Sequence, residues 1–426
     1  MSDLIDSPLK KLLKKVFLGI LLACYATMVV YLNISSSTDK ETGKTVIVVA
    51  IPGARTYRQH YRAIADDFEK LHPDIKIRLL PIESKYYEKI QTMIVGRSQL
   101  DLAWMGREGP SFAKKGVFKD IKEFIKKDPT FDLKVYYQTA IDLYRCNGQI
   151  YGLPIGFDSE MFFYNKNLFD QAGLSYPDAT WDYAKMLNAA KKLTQDTDGD
   201  GRIDQFGVAG IGSGFATVRS FGGYVVNNTG TKSGLALPDS IKSVQFLVDL
   251  VRKYKVSPRG IGRNNDDLFL SGKLAMCVQI NQIIPRFRKI KNFKWDVTLI
   301  PRGKKRIFEF STSGHSMLSS TKNPEAAWLF LKFLSGKKFQ IRVKNIIIPS
   351  LKELNQPKYR SKLPPEHIKL FPDAIIKYGR SLHKVPHLRE VFSLWQQTKE
   401  AVFADIMTSG QACKYGAERI DKILEN

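Results

Sequence analysis

The chain of 426 residues carries two sets of carboxylates whose spacing could do chemistry. Asp196, Asp198 and Asp200 alternate and run into Gly201, the first half of a loop that wraps oxygen ligands around Ca²⁺. Asp204 adds another carboxylate, but Gly207 stands where the closing bidentate Glu would be. A structural Ca²⁺ held by Asp196, Asp198, Asp200 and Asp204 is one outcome. The other is a set of turns in which the same side chains accept backbone N–H groups without metal. No other cofactor is expected. Asp158 and Glu160 form the second set, and paired carboxylates can act as acid and base on a glycosidic bond.

Motifs for other chemistry are missing. Thr42-Gly43-Lys44-Thr45 ends like a phosphate-binding loop, but Thr38 stands where the upstream glycine should be. No Gly-x-Ser-x-Gly, His-Glu-x-x-His or Rossmann glycine fingerprint occurs. An enzyme is therefore not expected.

The elements that must position these residues alternate. Thr45 to Ile51 is β-rich, ends at Pro52-Gly53 and suits a buried parallel strand. Tyr57 to Leu71 has helical spacing, with Tyr61, Ile64, Ala65, Phe68 and Leu71 on one face, and His72-Pro73-Asp74 stops it. A strand over Ile75 to Pro81, a helix over Tyr86 to Val95 and a short strand over Asp101 to Met105 complete an α/β signature. Further on, Trp181 to Leu193 reads as a helix capped by Thr180, and Ile241 to Tyr254 as another. Trp295 to Pro301 reads as a strand. Pro324 opens a helix, where its missing N–H is tolerated, and the chain from Val391 to Leu424 is helical.

The order of small motifs over residues 148 to 207 narrows the class. Gly148-Gln-Ile-Tyr-Gly-Leu-Pro is followed by Phe163-Tyr-Asn-Lys-Asn-Leu-Phe-Asp-Gln-Ala-Gly-Leu, Pro177, Thr180-Trp181, Lys192-Leu-Thr and the Asp196 loop, closing at Phe206-Gly207. With Ala65, Phe68 and Pro73-Asp74-Ile75 upstream, this resembles the family 1 extracellular solute-binding proteins, the maltose-binding-like receptors of ATP-driven carbohydrate importers. The resemblance spans roughly residues 44 to 426. It departs after Ala275-Met276, where the family often carries a Gly and a Trp and this chain reads Cys277-Val-Gln-Ile-Asn-Gln.

The resemblance implies a two-lobed α/β periplasmic-binding-protein fold (type II-like) with a hinge, preceded by an N-terminal membrane segment. Residues 44–156 plus 310–348 would form lobe 1, and 157–309 plus 349–426 lobe 2. Crossings are placed near Gly156 to Phe162, Phe308 to Ser313 and Ile346 to Ser350. The ligand would lie between the lobes and shift the population to a closed form that the permease subunits recognise. A sugar offers C–H faces for aromatic rings and hydroxyls for charged or amide groups. The family pattern places Arg55, Tyr57, Trp104, Arg107 and Glu108 on the first lobe, Asp158 and Glu160 at the crossing, and Phe215, Arg219, Asn281 and His315 beyond it. For several a plainer role competes: Trp104 as core, Arg107 and Glu108 as a surface ion pair, His315 as a turn residue. The arginines hint at an anionic carbohydrate; an oligosaccharide is the other expectation. The chain is expected to act as a monomer. An alternative partner is a sensor or scaffold instead of a permease.

Charge and cysteines bound the rest. Lys and Arg number 66 against 42 acids, a formal charge of +24. Such a charge suggests nucleic acid, but the basic residues are spread along the chain and no nucleic-acid-binding motif occurs. No nucleic-acid partner is expected. The densest basic block, Arg286 to Arg306, is expected to be a solvated face. Cys24, Cys146, Cys277 and Cys413 lack metal spacing, and buried free thiols are expected. Residues 1–43 comprise a basic end, the apolar run Val16 to Ile34 and a polar tether. At about 1.5 Å per residue that run just crosses a bilayer core. Lys10, Lys11, Lys14 and Lys15 keep its start in the cytoplasm and put the body outside. An uncleaved anchor fits best. A lipoprotein modified at Cys24, after Leu21-Leu22-Ala23, and a cleaved signal peptide are the alternatives.

Overall fold

A computed structural model of the chain describes residues 42–258, 265–359, 363–381 and 385–425. The basic end, the apolar run and Cys24 lie outside the described residues. Among the described residues no helix is long and apolar enough to cross a membrane.

The strands are β1 (Thr45–Pro52), β2 (Ile75–Ile82), β3 (Leu102–Met105), β4 (Arg145–Cys146), β5 (Gln149–Ile150) and β6 (Gly152–Asn165). They continue with β7 (Phe206–Ala209), β8 (Leu274–Ile280), β9 (Trp295–Thr298), β10 (Phe308–Met317), β11 (Ile348–Pro349) and β12 (Gly379–Ser381). β1 lies between β2 and β3, parallel to both, as expected where helices return the chain along one face. The helix Arg55–Leu71 buries Tyr61, Ile64, Ala65 and Phe68. Leu71, expected on the same face, is exposed at the helix end, where His72 already turns away.

β6 joins the two lobes. From Gly152 to Ser159 it pairs with β10, and Gly156 and Phe157 also pair with β11. From Glu160 to Asn165 it pairs instead with β8 and β9. The crossing therefore falls between Ser159 and Glu160, within the expected Gly156 to Phe162 window. Gly156 is required there: a Cβ would come within 2.5 Å of the Ile348 carbonyl. β10 and β11 lie over the other two expected windows, and β10 pairs antiparallel with β3 of the first lobe.

One core runs through both lobes, from Val46, Val48 and Ala50 of β1 past Phe157 and Phe163 to Phe269 and Trp295. Another gathers Ile47, Val49 and Ile51 of β1 with Tyr61, Phe68, Trp328 and Phe339. Two others gather Phe215, Val244 and Trp395, and Phe162, Phe169 and Met186. In the second lobe the helices Leu388–Phe403 and Ser409–Leu424 pack on Pro238–Arg252. The helix after Trp181 spans Tyr183–Leu193 and is capped by Asp182, whose carboxylate accepts the Lys185 amide at 2.9 Å. Thr180 is not the cap; its amide and hydroxyl are held by Asp178 in the preceding turn. Cys146, Cys277 and Cys413 are free thiols.

Candidate functional site

The cleft is built around the crossing. Asp158, Ser159 and Glu160 of β6 and Glu309, Phe310 and Ser311 of β10 line a cavity of ≈ 320 Å³. Arg107 from the first lobe and Phe392 from the second reach across it, with the guanidinium carbon 5.8 Å from the ring centroid. Phe310 also lines an adjoining cavity of ≈ 500 Å³, bounded by Thr139 and Asp142 on one side and Arg219, Asn228 and Arg380 on the other. The two spaces share Phe310 in their walls.

Its chemistry is set by partly satisfied carboxylates. Asp158 accepts Gln282 Nε2 at 2.9 Å and the Ser313 hydroxyl. Glu160 accepts the Ser213 hydroxyl. Glu309 accepts the Phe215 amide at 2.8 Å through Oε2, while its buried Oε1 has no hydrogen-bond partner. Burial pushes all three carboxyls up, Glu309 to about 8, against hydrogen bonds that favour their charged forms. Side chains that keep an acceptor free at the bottom of a cleft are suited to hydroxyl donors, because an unmade buried hydrogen bond is costly.

The loop that meets Glu160 and Glu309 is fixed from behind by the helix Leu388–Phe403. Lys399 Nζ donates to the Gly212 carbonyl at 2.6 Å, Gln396 Nε2 to Ser213 at 3.2 Å and Trp395 Nε1 to Gly214 at 3.2 Å. Burial lowers Lys399 to about 7, against the pull of Glu160.

Residues 56–341 match the family model for bacterial extracellular solute-binding protein. The chain belongs to this family. It is 26% identical over 324 residues to a binding protein of Brucella abortus (strain 2308), covering 73% of this chain and 76% of that protein. It is 22% identical over 419 residues to the maltodextrin-binding protein MdxE of Bacillus subtilis (strain 168), covering 92% of each. Among solved structures, the ABC substrate-binding protein Lmo0181 of Listeria monocytogenes in complex with cycloalternan has a TM-score of 0.79 at 26% identity, covering 90% of this chain and 99% of that one. The maltose/maltodextrin-binding domain MalE of Bdellovibrio bacteriovorus bound to maltotriose has a TM-score of 0.75 at 20% identity, covering 90% and 100%. The two-lobed α/β solute-binding fold is shared with both.

In this solute-binding protein the residues singled out from the sequence divide into three groups. Arg107, Asp158, Glu160 and Arg219 line the cleft. Tyr57 is beside it: burial raises its phenol, and the Asp158 carboxylate raises it further. Arg55, Trp104 and Glu108 stand on the first lobe without lining these cavities. Arg55 is exposed, Trp104 packs edge-on against Tyr86 at 5.5 Å, and burial pushes the Glu108 carboxyl up.

The remaining three are scaffold. His315 is wholly buried on β10, beside Trp104 of β3, and its Nε2 is 2.8 Å from the Tyr61 hydroxyl. Burial lowers its pKa to about 3, so the ring is neutral. Phe215 is also wholly buried; only its backbone amide serves the cleft, through Glu309. Asn281 ties the crossing together, accepting the Ser159 amide and donating to the Ile346 carbonyl, each at 2.7 Å.

In the acidic loop Asp196, Asp198 and Asp200 converge, each offering an oxygen within 4.8 Å of the others. Asp204 turns away to hold Thr197 through its amide and hydroxyl. Asp196 accepts the amides of Gly199 and Gly201 at 2.8 Å. The loop thus has the turn geometry expected without metal as well as three ligand oxygens in reach of one point. In the basic block, Arg286 pairs with Asp266 and Asp267, and Lys304 with Asp239.

Glu309, Ser213, Phe392 and Arg380 were not among the sequence candidates. Glu309 had a signal: an acid between Phe308 and Phe310 in an apolar run. Phe392 had none, because it sits on a helix far along the chain and meets the cleft only through lobe packing.

Proposed function

We propose that this protein is the extracytoplasmic substrate-binding component of an ABC importer and holds a carbohydrate, of oligosaccharide length, between its lobes. The observation that carries the reading is the pair of cavities that meet at Phe310, one of them walled by Asp158, Glu160 and Glu309 with Phe392 presenting a ring from the second lobe. Carboxyl oxygens accept hydroxyl donors, the ring packs on C–H faces, and the cavity sizes fall in the usual range for ligand sites of about 300–1,000 Å³. Three of the proteins named above are a maltodextrin-binding protein, one in complex with cycloalternan and one bound to maltotriose, which supports the same ligand class. The acids act as acceptors here, and no catalytic step is assigned to them.

Ligand contact with both lobes would favour the closed form, which the permease subunits then read. Residues 1–43 would hold the body at the outer face of the cytoplasmic membrane. Calorimetric titration with maltotriose, maltotetraose, cellotriose and neutral monosaccharides tests the reading. Saturable heat with at least one oligosaccharide is expected, and binding confined to non-carbohydrate solutes would overturn it.

A further inference from the structure

The second half of the cleft differs in charge from the first. Arg219 and Arg380 both border the ≈ 500 Å³ cavity, and with Lys305 they border a contiguous space of ≈ 270 Å³. Arg219 is held in place: Nη2 donates to the Val226 carbonyl at 3.0 Å and Nη1 to Asn228 Oδ1 at 3.4 Å. Its Nε lies 3.6 Å from Glu309 on the side facing the centre of the cleft. Among the described residues Arg380 donates to the carbonyl of its own neighbour Gly379, at 2.9 Å, and its side chain lines both spaces. Burial lowers the Arg219 pKa against the pull of Glu309, and the nearby Arg380 charge lowers it a little further. Among the described residues that line this cavity the acid is Asp142, which is engaged with Gln138 at 2.7 Å and Arg145 at 3.5 Å.

We propose that this end of the cleft is an anion subsite: Arg219, Arg380 and Lys305 receive a carboxylate or phosphate on one end of the carbohydrate, while its neutral part lies against Asp158, Glu160 and Phe392. An anion between the two guanidiniums replaces their repulsion by charge-assisted hydrogen bonds, which Arg forks make in pairs. Lys305 adds an exposed point charge at the mouth. The inference rests on the carbohydrate reading and adds where the charged end sits.

The test uses the purified full chain and matched ligands: maltotriose and cellotriose, each neutral, with a uronate at the non-reducing end, or with a phosphate at the anomeric carbon. For whichever backbone binds best, the anionic form is expected to bind about ten-fold or more tightly, a step of about 1.4 kcal/mol. The advantage should shrink as salt is raised. Arg380→Gln should remove most of it, Arg380→Lys only part, with unchanged melting of both variants. Whether uronate or phosphate gains more identifies the source of the anion. If a neutral oligosaccharide binds as tightly as its anionic forms, the anion subsite is wrong and the carbohydrate reading stands. If no oligosaccharide of any kind binds, that reading falls and the subsite with it.

Discussion

Glu309 Oε1 lies 3.6 Å from Arg219 Nε, so the acidic centre of the cleft and its basic end meet in one pair. Burial pushes the Glu309 carboxyl up to about 8, against the pull of Arg219 and with a further push from Glu160. An unfolded glutamate titrates near about 4.3. The folded state therefore favours the protonated form. Its contribution to stability is fully present below about 4.3 and is lost as pH rises through about 8. Glu309→Gln removes the titration. The melting temperature of the variant minus that of the wild type should rise between pH 5 and pH 8.5, by roughly a few degrees. A difference that stays constant across that range would show that Glu309 is not titrating there.

Lys399 supports the same centre from behind. Its replacement by Met keeps a flexible stem but leaves the Gly212 carbonyl without its 2.6 Å donor. Leaving one buried acceptor unpaired costs about 1–3 kcal/mol. Denaturant unfolding of Lys399→Met at pH 7 should show a loss of that order. Because the loop it holds carries the Ser213 hydroxyl bound by Glu160, ligand affinity should fall as well. Wild-type stability together with wild-type affinity would show that Trp395 and Gln396 hold the loop alone.

Among the contacts that span the lobes are the Arg389–Glu88 ion pair and Arg107 over Phe392. Both partners of the ion pair are exposed, and such pairs contribute about 0–1 kcal/mol. Arg389→Ala should leave melting nearly unchanged and weaken oligosaccharide binding by no more than about five-fold, through a small loss of closed population. Scattering of the unliganded variant should show a slightly larger radius of gyration. A loss of binding near a hundred-fold would mean that Arg389 touches the ligand.

How far the sequence carried depends on which forces decide each feature. The helix Tyr86–Val95 and the strands β1 and β2 were legible, because local apolar spacing sets them. The crossing was legible only as a window. The partner change between Ser159 and Glu160 comes from β8 and β10, both distant in sequence. Thr180 looked like the helix cap because Ser, Thr and Asp are interchangeable signals there; Asp182 is the cap, and Asp178 holds Thr180 in the turn before it. Asp158 and Glu160 were found because the family resemblance puts the first crossing over them. His315 was placed at the cleft because it follows a Ser-Gly pair that looks like a turn. Antiparallel pairing with β3 instead keeps the chain extended and sends the ring into the core beside Tyr61. Arg380 and Phe392 could not be found, since their only relation to the cleft is the packing of one lobe on the other.

Gly214 gives the most direct test of the centre. A Cβ added there would stand 2.9 Å from Glu309 Oε2, and 3.3 Å and 3.4 Å from the two oxygens of Glu160. The methyl of Gly214→Ala would therefore point between the two acids. Glu309 cannot yield freely, because its Oε2 is held by the Phe215 amide. It must rotate, and the acceptor geometry facing the cleft changes with it. Binding of the best oligosaccharide should weaken by about ten-fold or more, the scale of one charge-assisted hydrogen bond. The cost to folding should be smaller, because the change touches side-chain ends and leaves the main cores intact. Calorimetric titration and thermal melting of Gly214→Ala separate the two effects. Unchanged affinity would mean that the ligand does not touch Glu160 or Glu309, and the centre of the site would have to move towards Arg219.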